Sequence, residues 1–251
     1  MEENRRDELK GDIPAPVSIK FSEKFENFWY HYKWHTIFTA IALVIVMICT
    51  MQMCNKESYD LYIMYAGSHE IKKTASDGDI PAYSSTVSSF KRITEDFDGD
   101  GAVNVSLKDL FVLTADEIKE VEANKELEVN YTLISDNYQI LKDTVVYSDY
   151  YLCFLSASVY EEFKMIDGVA IFTDLTKYVQ DDSGVVMHDS SAIYLSSTEF
   201  HTLPGISDLP RDTVICVRSV SPMASHWDKD GSQEGFECAI AALKKILAYT
   251  A

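Results

Sequence analysis

The segment Thr36–Cys54, TIFTAIALVIVMICTMQMC, constrains this chain more than any other. Its nineteen residues hold no charge, no glycine and no proline. As a helix they extend about 29 Å, close to the roughly 30 Å hydrocarbon thickness of a bilayer. A core helix of a soluble protein would carry a polar face, and this one has none. A cleavable leader would have a short basic start and small residues before its cleavage site. Here 35 residues come first, and Met51, Gln52 and Met53 stand at the exit. Methionine before Cys54 also argues against a lipoprotein cysteine. The expected organisation is a cytoplasmic tail over 1–35, a transmembrane helix over 36–54 and an extracellular domain over 55–251.

Phe28, Trp29, Tyr30, Tyr32 and Trp34 precede the apolar run, where amphipathic rings favour the membrane–water interface. Lys20, Lys24 and Lys33 also lie on that side, against Lys56 and the more distant Lys72 and Lys73 on the other. The basic bias puts the N-terminus inside and the C-terminal domain outside a single-pass protein of the cell membrane. Of the 40 acidic residues 33 follow the span, against 16 of the 22 basic ones. So acidic a domain is a poor partner for nucleic acid, which is bound by neutralising phosphates. It suits a solvated outer domain, a cationic ligand or calcium.

The outer stretch alternates strands with helices, the pattern of an α/β domain with a mixed sheet. Strands are expected at 58–66, 102–113, 149–155, 169–172, 192–195 and 213–217. Tyr83, Val87, Phe90 and Ile93 have helical spacing. Thr114 with Glu117 forms a capping box, Asp136 is a candidate helix start, and Ser156 caps a short helix. The last helix presents Phe236, Ile240, Leu243 and Leu247 on one face. Cys153, Cys216 and Cys238 are isolated, with no metal-ligand spacing. The first two sit in apolar strands as small core residues, and one bridge among the three stays open.

The sharpest motif is Asp96-Phe97-Asp98-Gly99-Asp100-Gly101. Carboxylates at alternate positions converge on one cation, and Gly101 permits the sharp turn this needs. Asp96, Asp98, Asp100 and Asn104 are the candidate ligands, with calcium the expected cofactor. The twelfth position, an acid in a complete EF-hand, is Leu107; Asp109 is a candidate late ligand. A solvated acidic turn is the alternative. Asp228-Lys229-Asp230-Gly231 reads as a helix-entry turn. The histidines assemble no site: His69-Glu70 lacks a second histidine, and His188, His201 and His226 are expected at the surface. No GxSxG, HExxH or phosphate loop is present, so no catalytic role is expected.

FENFWYHYKWHTI (25–37), the span and YDLYIMYAG together resemble uncharacterised membrane-anchored proteins of Clostridia-like Gram-positive bacteria. SDYYLCFLSASVYEEF (148–163) and DGVAIFTDLTKYV (167–179) are similar to a stretch of extracellular solute-binding proteins, where a strand ends on a serine and a helix follows. The DTVICVR strand and the last helix are compatible with that type 2 periplasmic-binding-protein-like fold. The resemblance implies a reduced, two-lobed α/β domain binding a small solute or an envelope protein. Its ligand would meet Tyr65 and Ser68 after the first strand and Ser156 after DYYLCFL. The alternative is a structural or assembly protein of the envelope without a pocket.

Overall fold

The computed structural model describes residues 21–54, 59–71, 82–124, 130–179, 184–220 and 229–250. The chain divides into two compact units, 1–57 and 58–251.

Among the described residues the first unit forms α1 (Phe21–Cys54, 34 residues). It begins upstream of the apolar run and passes through the aromatic residues, because no proline or glycine interrupts 21–54. Within it Phe28–Met51 is long and apolar enough to cross a membrane. Leu43, Val46 and Met47 are all more than half exposed, as lipid-facing side chains would be.

The second unit is built on β1 (Leu61–Gly67), α2 (Ala82–Lys91), β2 (Val105–Phe111), α3 (Ala115–Asn124), α4 (Tyr131–Tyr147), β3 (Leu152–Ser156) and α5 (Ala157–Phe163). Next come a short hairpin of β4 (Met165–Ile166) and β5 (Val169–Ala170), then β6 (Met187–Asp189), β7 (Ala192–Tyr194), β8 (Thr213–Val217) and α6 (Lys229–Leu247). Six strands form an open sheet in the order β2-β1-β3-β8-β7-β6. β1 is parallel to β2 and β3, and the pairs from β3 to β6 are antiparallel. The mixed α/β class expected from the sequence is what forms.

Strand periodicity sorts the core into two layers. Ile63, Tyr65, Phe154 and Ile215 meet Phe90 of α2 and Leu243 and Ile246 of α6 on one face. Met64, Cys153, Leu155 and Cys216 meet Leu141 and Val145 of α4 and Val159 of α5 on the other. β3 and β8 are buried throughout, which is why their sequences are apolar runs and not alternations.

The capping box forms as expected: Glu117 accepts from the Thr114 N–H at 2.6 Å, and Thr114 Oγ1 accepts in return from the Glu117 N–H. The next helix starts earlier than Asp136, because Asn130 caps it by accepting from the Leu133 N–H. β6 forms where no strand was expected. It is three residues long and half-buried, too short to show a period.

The segment between β7 and β8 lays its main chain directly on α2. A Cβ on Gly205, where φ is +78°, would stand 2.7 Å from the Thr86 nitrogen and 2.9 Å from its Cα. Gly205→Ala must therefore move backbone against backbone as well as adopt a left-handed conformation. We expect a loss of about 2–4 kcal/mol in urea unfolding. A loss under 1 kcal/mol would mean this contact is slack.

Candidate acidic metal cluster and adjoining cleft

β1 is preceded by Asp60, only 6% exposed, and this residue organises the acidic turn. Its Oδ1 accepts from the main-chain N–H groups of Phe97 (2.7 Å) and Asp98 (3.3 Å), and its Oδ2 from Asn104 (2.7 Å). Its own N–H donates to the Asn104 carbonyl at 2.9 Å. The clasp stands next to the Leu61–Val105 pair that opens the parallel ladder. One carboxylate thus ties the turn to the sheet.

Within the turn, Asp96 accepts from the N–H groups of Gly99 (2.7 Å) and Gly101 (2.9 Å). Asp98 accepts from Asp100 N–H at 3.0 Å. Gly99 and Gly101 have φ of +73° and +86°, which glycine adopts without strain. The folding curls the chain so that oxygens of Asp60, Asp96 and Asp98 all lie within 4.8 Å of one another. An oxygen-ligated calcium keeps its ligands about 2.3–2.6 Å away, so oxygens on opposite sides are about 5 Å apart. The three carboxylates can therefore share one hard cation.

Of the four ligands proposed from spacing, Asp96 and Asp98 belong to this group. Asp100 turns its carboxylate to the Ala102 N–H at 2.7 Å, and Asn104 contributes main-chain atoms to Asp60. Leu107 packs into β2 and the core. Asp109 pairs with Tyr65 in the ladder, five residues beyond Asn104 and hence roughly 16 Å along the strand. It is not a late ligand. The third carboxylate instead comes from Asp60, just before β1 and far upstream. The one acid beside an apolar strand was its only signal.

Asp60 and Asp98 also line a cleft of about 250 Å³ with Tyr59, Tyr62, Asp149 and Glu234 among its walls. Tyr59, Tyr62 and Tyr150 form an edge-to-face ladder with centroids 5.6 and 5.5 Å apart. Burial, reinforced by Asp149 and Tyr150, pushes the Tyr62 hydroxyl above its ordinary value. No lysine or arginine is among the described residues lining the cleft. Four carboxylates beside aromatic faces favour a cation or a positively charged group. Gly231 and Gly235 of α6 bring that helix against the cleft, and Lys229, Asp230 and Gly231 of the second acidic motif lie in the first turn of α6.

The residues proposed for a solute lie at the other end of β1. Gly67 separates them: a Cβ there would be 2.9 Å from the Tyr65 hydroxyl and 3.2 Å from Ser156 Cβ. Tyr65 is 1% exposed, with its hydroxyl pushed far up by burial and by Asp109, Asp212 and Glu117; the His69 main chain opposes the shift. Ser156 is buried and engaged as the α5 cap, its Oγ 3.0 Å from Ser158 Oγ. Ser158 in turn donates to Glu117 at 2.9 Å. Ser68 follows Gly67 and is exposed. The fold therefore brings Tyr65 and Ser156 together at the point where the connections of β1 and β3 diverge.

His188 departs from the surface role expected of it. On β6 its Nδ1 lies 2.7 Å from the Tyr194 hydroxyl and its Nε2 2.8 Å from Glu161. Lys164 pairs with Glu161 at 2.7 Å, and Tyr160 donates to Asp189 at 2.8 Å. The Lys164 bond, then that of His188, holds the Glu161 carboxyl below its usual range. The group latches α5 onto the β6–β7 edge. His226 and Asp228 lie outside the described residues.

No protein-family model matches the chain, and no curated protein or solved structure matches it either.

Proposed function

We propose that the chain is a single-pass membrane protein whose acidic domain is held outside the cell membrane, N-terminus inside, and binds a small solute or partner there with calcium as a stabilising ion. The observation that carries this reading is the shared use of Asp60 and Asp98 by the three-carboxylate cluster and by the cleft. An ion held there would fix one wall of the cleft and tie the 96–104 turn to β1. Calcium fits best because all the donors are hard carboxylate oxygens, two of them in a glycine-bearing turn. The lysine bias around the apolar helix supports the orientation.

The resemblance to solute-binding proteins is supported by the arrangement of the stretches that carry it. The strand that ends on Ser156 runs into a helix, and the DTVICVR strand pairs directly beside it. Walls of tyrosine and carboxylate make a positively charged or aromatic group the ligand class for the cleft.

The test is thermal unfolding of the full chain in detergent, with chelator and with calcium. A site of about 1 mM affinity gives about 1.4 kcal/mol in 10 mM calcium. For a domain of this size that raises Tm by roughly 3–6 °C. The rise should vanish in Asp98→Ala. An unchanged Tm in 10 mM calcium would overturn the calcium reading.

A further inference from the structure

We propose that Cys153 and Cys216 form a disulfide that staples β3 to β8 in the exported protein. In the antiparallel β3–β8 ladder they are direct partners. The same ladder includes bonds from Arg218 N–H to the Tyr151 carbonyl (2.8 Å) and from Ala157 N–H to the Asp212 carbonyl (3.1 Å). Counting along by twos puts the cysteines at a hydrogen-bonded position, where Cα atoms are about 5.5 Å apart. Disulfides span Cα separations of about 4.4–6.8 Å.

Both side chains leave the sheet on the same face, into the layer under α4 and α5. The Cys216 Sγ lies 3.7 Å from the Cys153 carbonyl oxygen. Cys238 is excluded because it sits on α6 in the layer on the opposite face of the sheet. Cys49 and Cys54 belong to the apolar helix α1. The odd number of cysteines after the span thus resolves into one pair and one single thiol.

The chemistry is thiol–disulfide exchange with an external disulfide as oxidant. One cysteine, as thiolate, attacks a sulfur of that disulfide and releases the first partner thiol, leaving a mixed disulfide. The second cysteine attacks the mixed disulfide, closes the Cys153–Cys216 bond and releases the second partner thiol. The two cysteines lose two electrons and two protons, and the partner disulfide gains them as two thiols. Both cysteines are fully buried, and burial pushes the Cys216 thiol well up, so the closed sheet offers no thiolate to an oxidant. The exchange belongs to folding, before β8 seats, or to an opening of that strand.

Directly opposed Cβ atoms are about 4.5–5.5 Å apart in a sheet, against about 3.5–4.5 Å in a disulfide. Closing the bond draws the two strands together by about 1 Å, so the bridge is strained and more readily reduced than a relaxed one. It fixes β8, the strand that returns from about 60 residues away to complete the centre of the sheet.

The experiment unfolds the full chain in a buffer of oxidised and reduced glutathione at about ten to one, refolds it in detergent, and alkylates it in denaturant. The expected result is a Cys153–Cys216 linked peptide that separates on reduction, with Cys49, Cys54 and Cys238 not joined to either. Tm should fall by several degrees on reduction, and Cys153→Ala/Cys216→Ala should fold with a Tm indifferent to reductant. Cys153 and Cys216 recovered unlinked from refolded protein would overturn the proposal. So would a linked peptide joining either of them to Cys238.

Discussion

Arg218→Ala will destabilise the domain by about 3–5 kcal/mol in urea unfolding of the full chain. Arg218 is 1% exposed at the end of β8. Its Nη1 donates to the Val145 carbonyl at 3.0 Å and its Nη2 to the Ser148 carbonyl, both in the final turn or cap of α4. Those carbonyls are the negative end of the helix and have no intrahelical donors. The guanidinium also lies 4.5 Å from the centre of the Tyr151 ring. Truncation leaves one buried acceptor and one half-buried acceptor unpaired, at up to about 1–3 kcal/mol each, and forfeits a cation–π contact of about 2 kcal/mol. Relief of the buried charge offsets part of that sum. Arg218→Lys should still lose about 2 kcal/mol, since an ammonium cannot reproduce the planar fork. A loss under 1 kcal/mol in the alanine variant would show that the guanidinium is no cap.

Asp60→Ala should lose about 3–4 kcal/mol even with chelator present, because three main-chain N–H groups lose their acceptor at a largely buried position. Asp98→Ala, exposed in the same turn, should lose under about 1 kcal/mol in chelator and differ from the parent only when calcium is added. The pair separates two roles that a single variant would confuse. On the proposed reading Asp60 holds the turn to β1 whether or not an ion is bound, and Asp98 serves the ion. Equal losses for the two in chelator, measured by denaturant unfolding, would sink this division.

The site was only half legible in the chain. Asp96, Asp98 and their glycines stand in one short motif, so local chemistry exposes them. Asp60 lies 36 residues before Asp96 and joins it only when β1 pairs with β2. His188 likewise gains Glu161 and Tyr194 only through the packing of α5 against β6 and β7. The residues proposed for a solute show the converse. Tyr65 and Ser156 stand at strand ends in the sequence, and they meet around Gly67 because parallel neighbours end at the same edge of the sheet.

By itself the sequence determined what depends on neighbours along the chain: the apolar helix, the Thr114 and Ser156 caps, the glycine-bearing acidic turn, and the all-apolar strands of a sheet covered on both faces. These follow from hydropathy and short-range hydrogen bonding. Tertiary structure alone decided the strand order, the opposition of Cys153 and Cys216, the burial of Arg218 against α4 and the arrival of Asp60 in the turn. Each of these joins residues tens of positions apart, and no local preference encodes which distant strand will supply the partner.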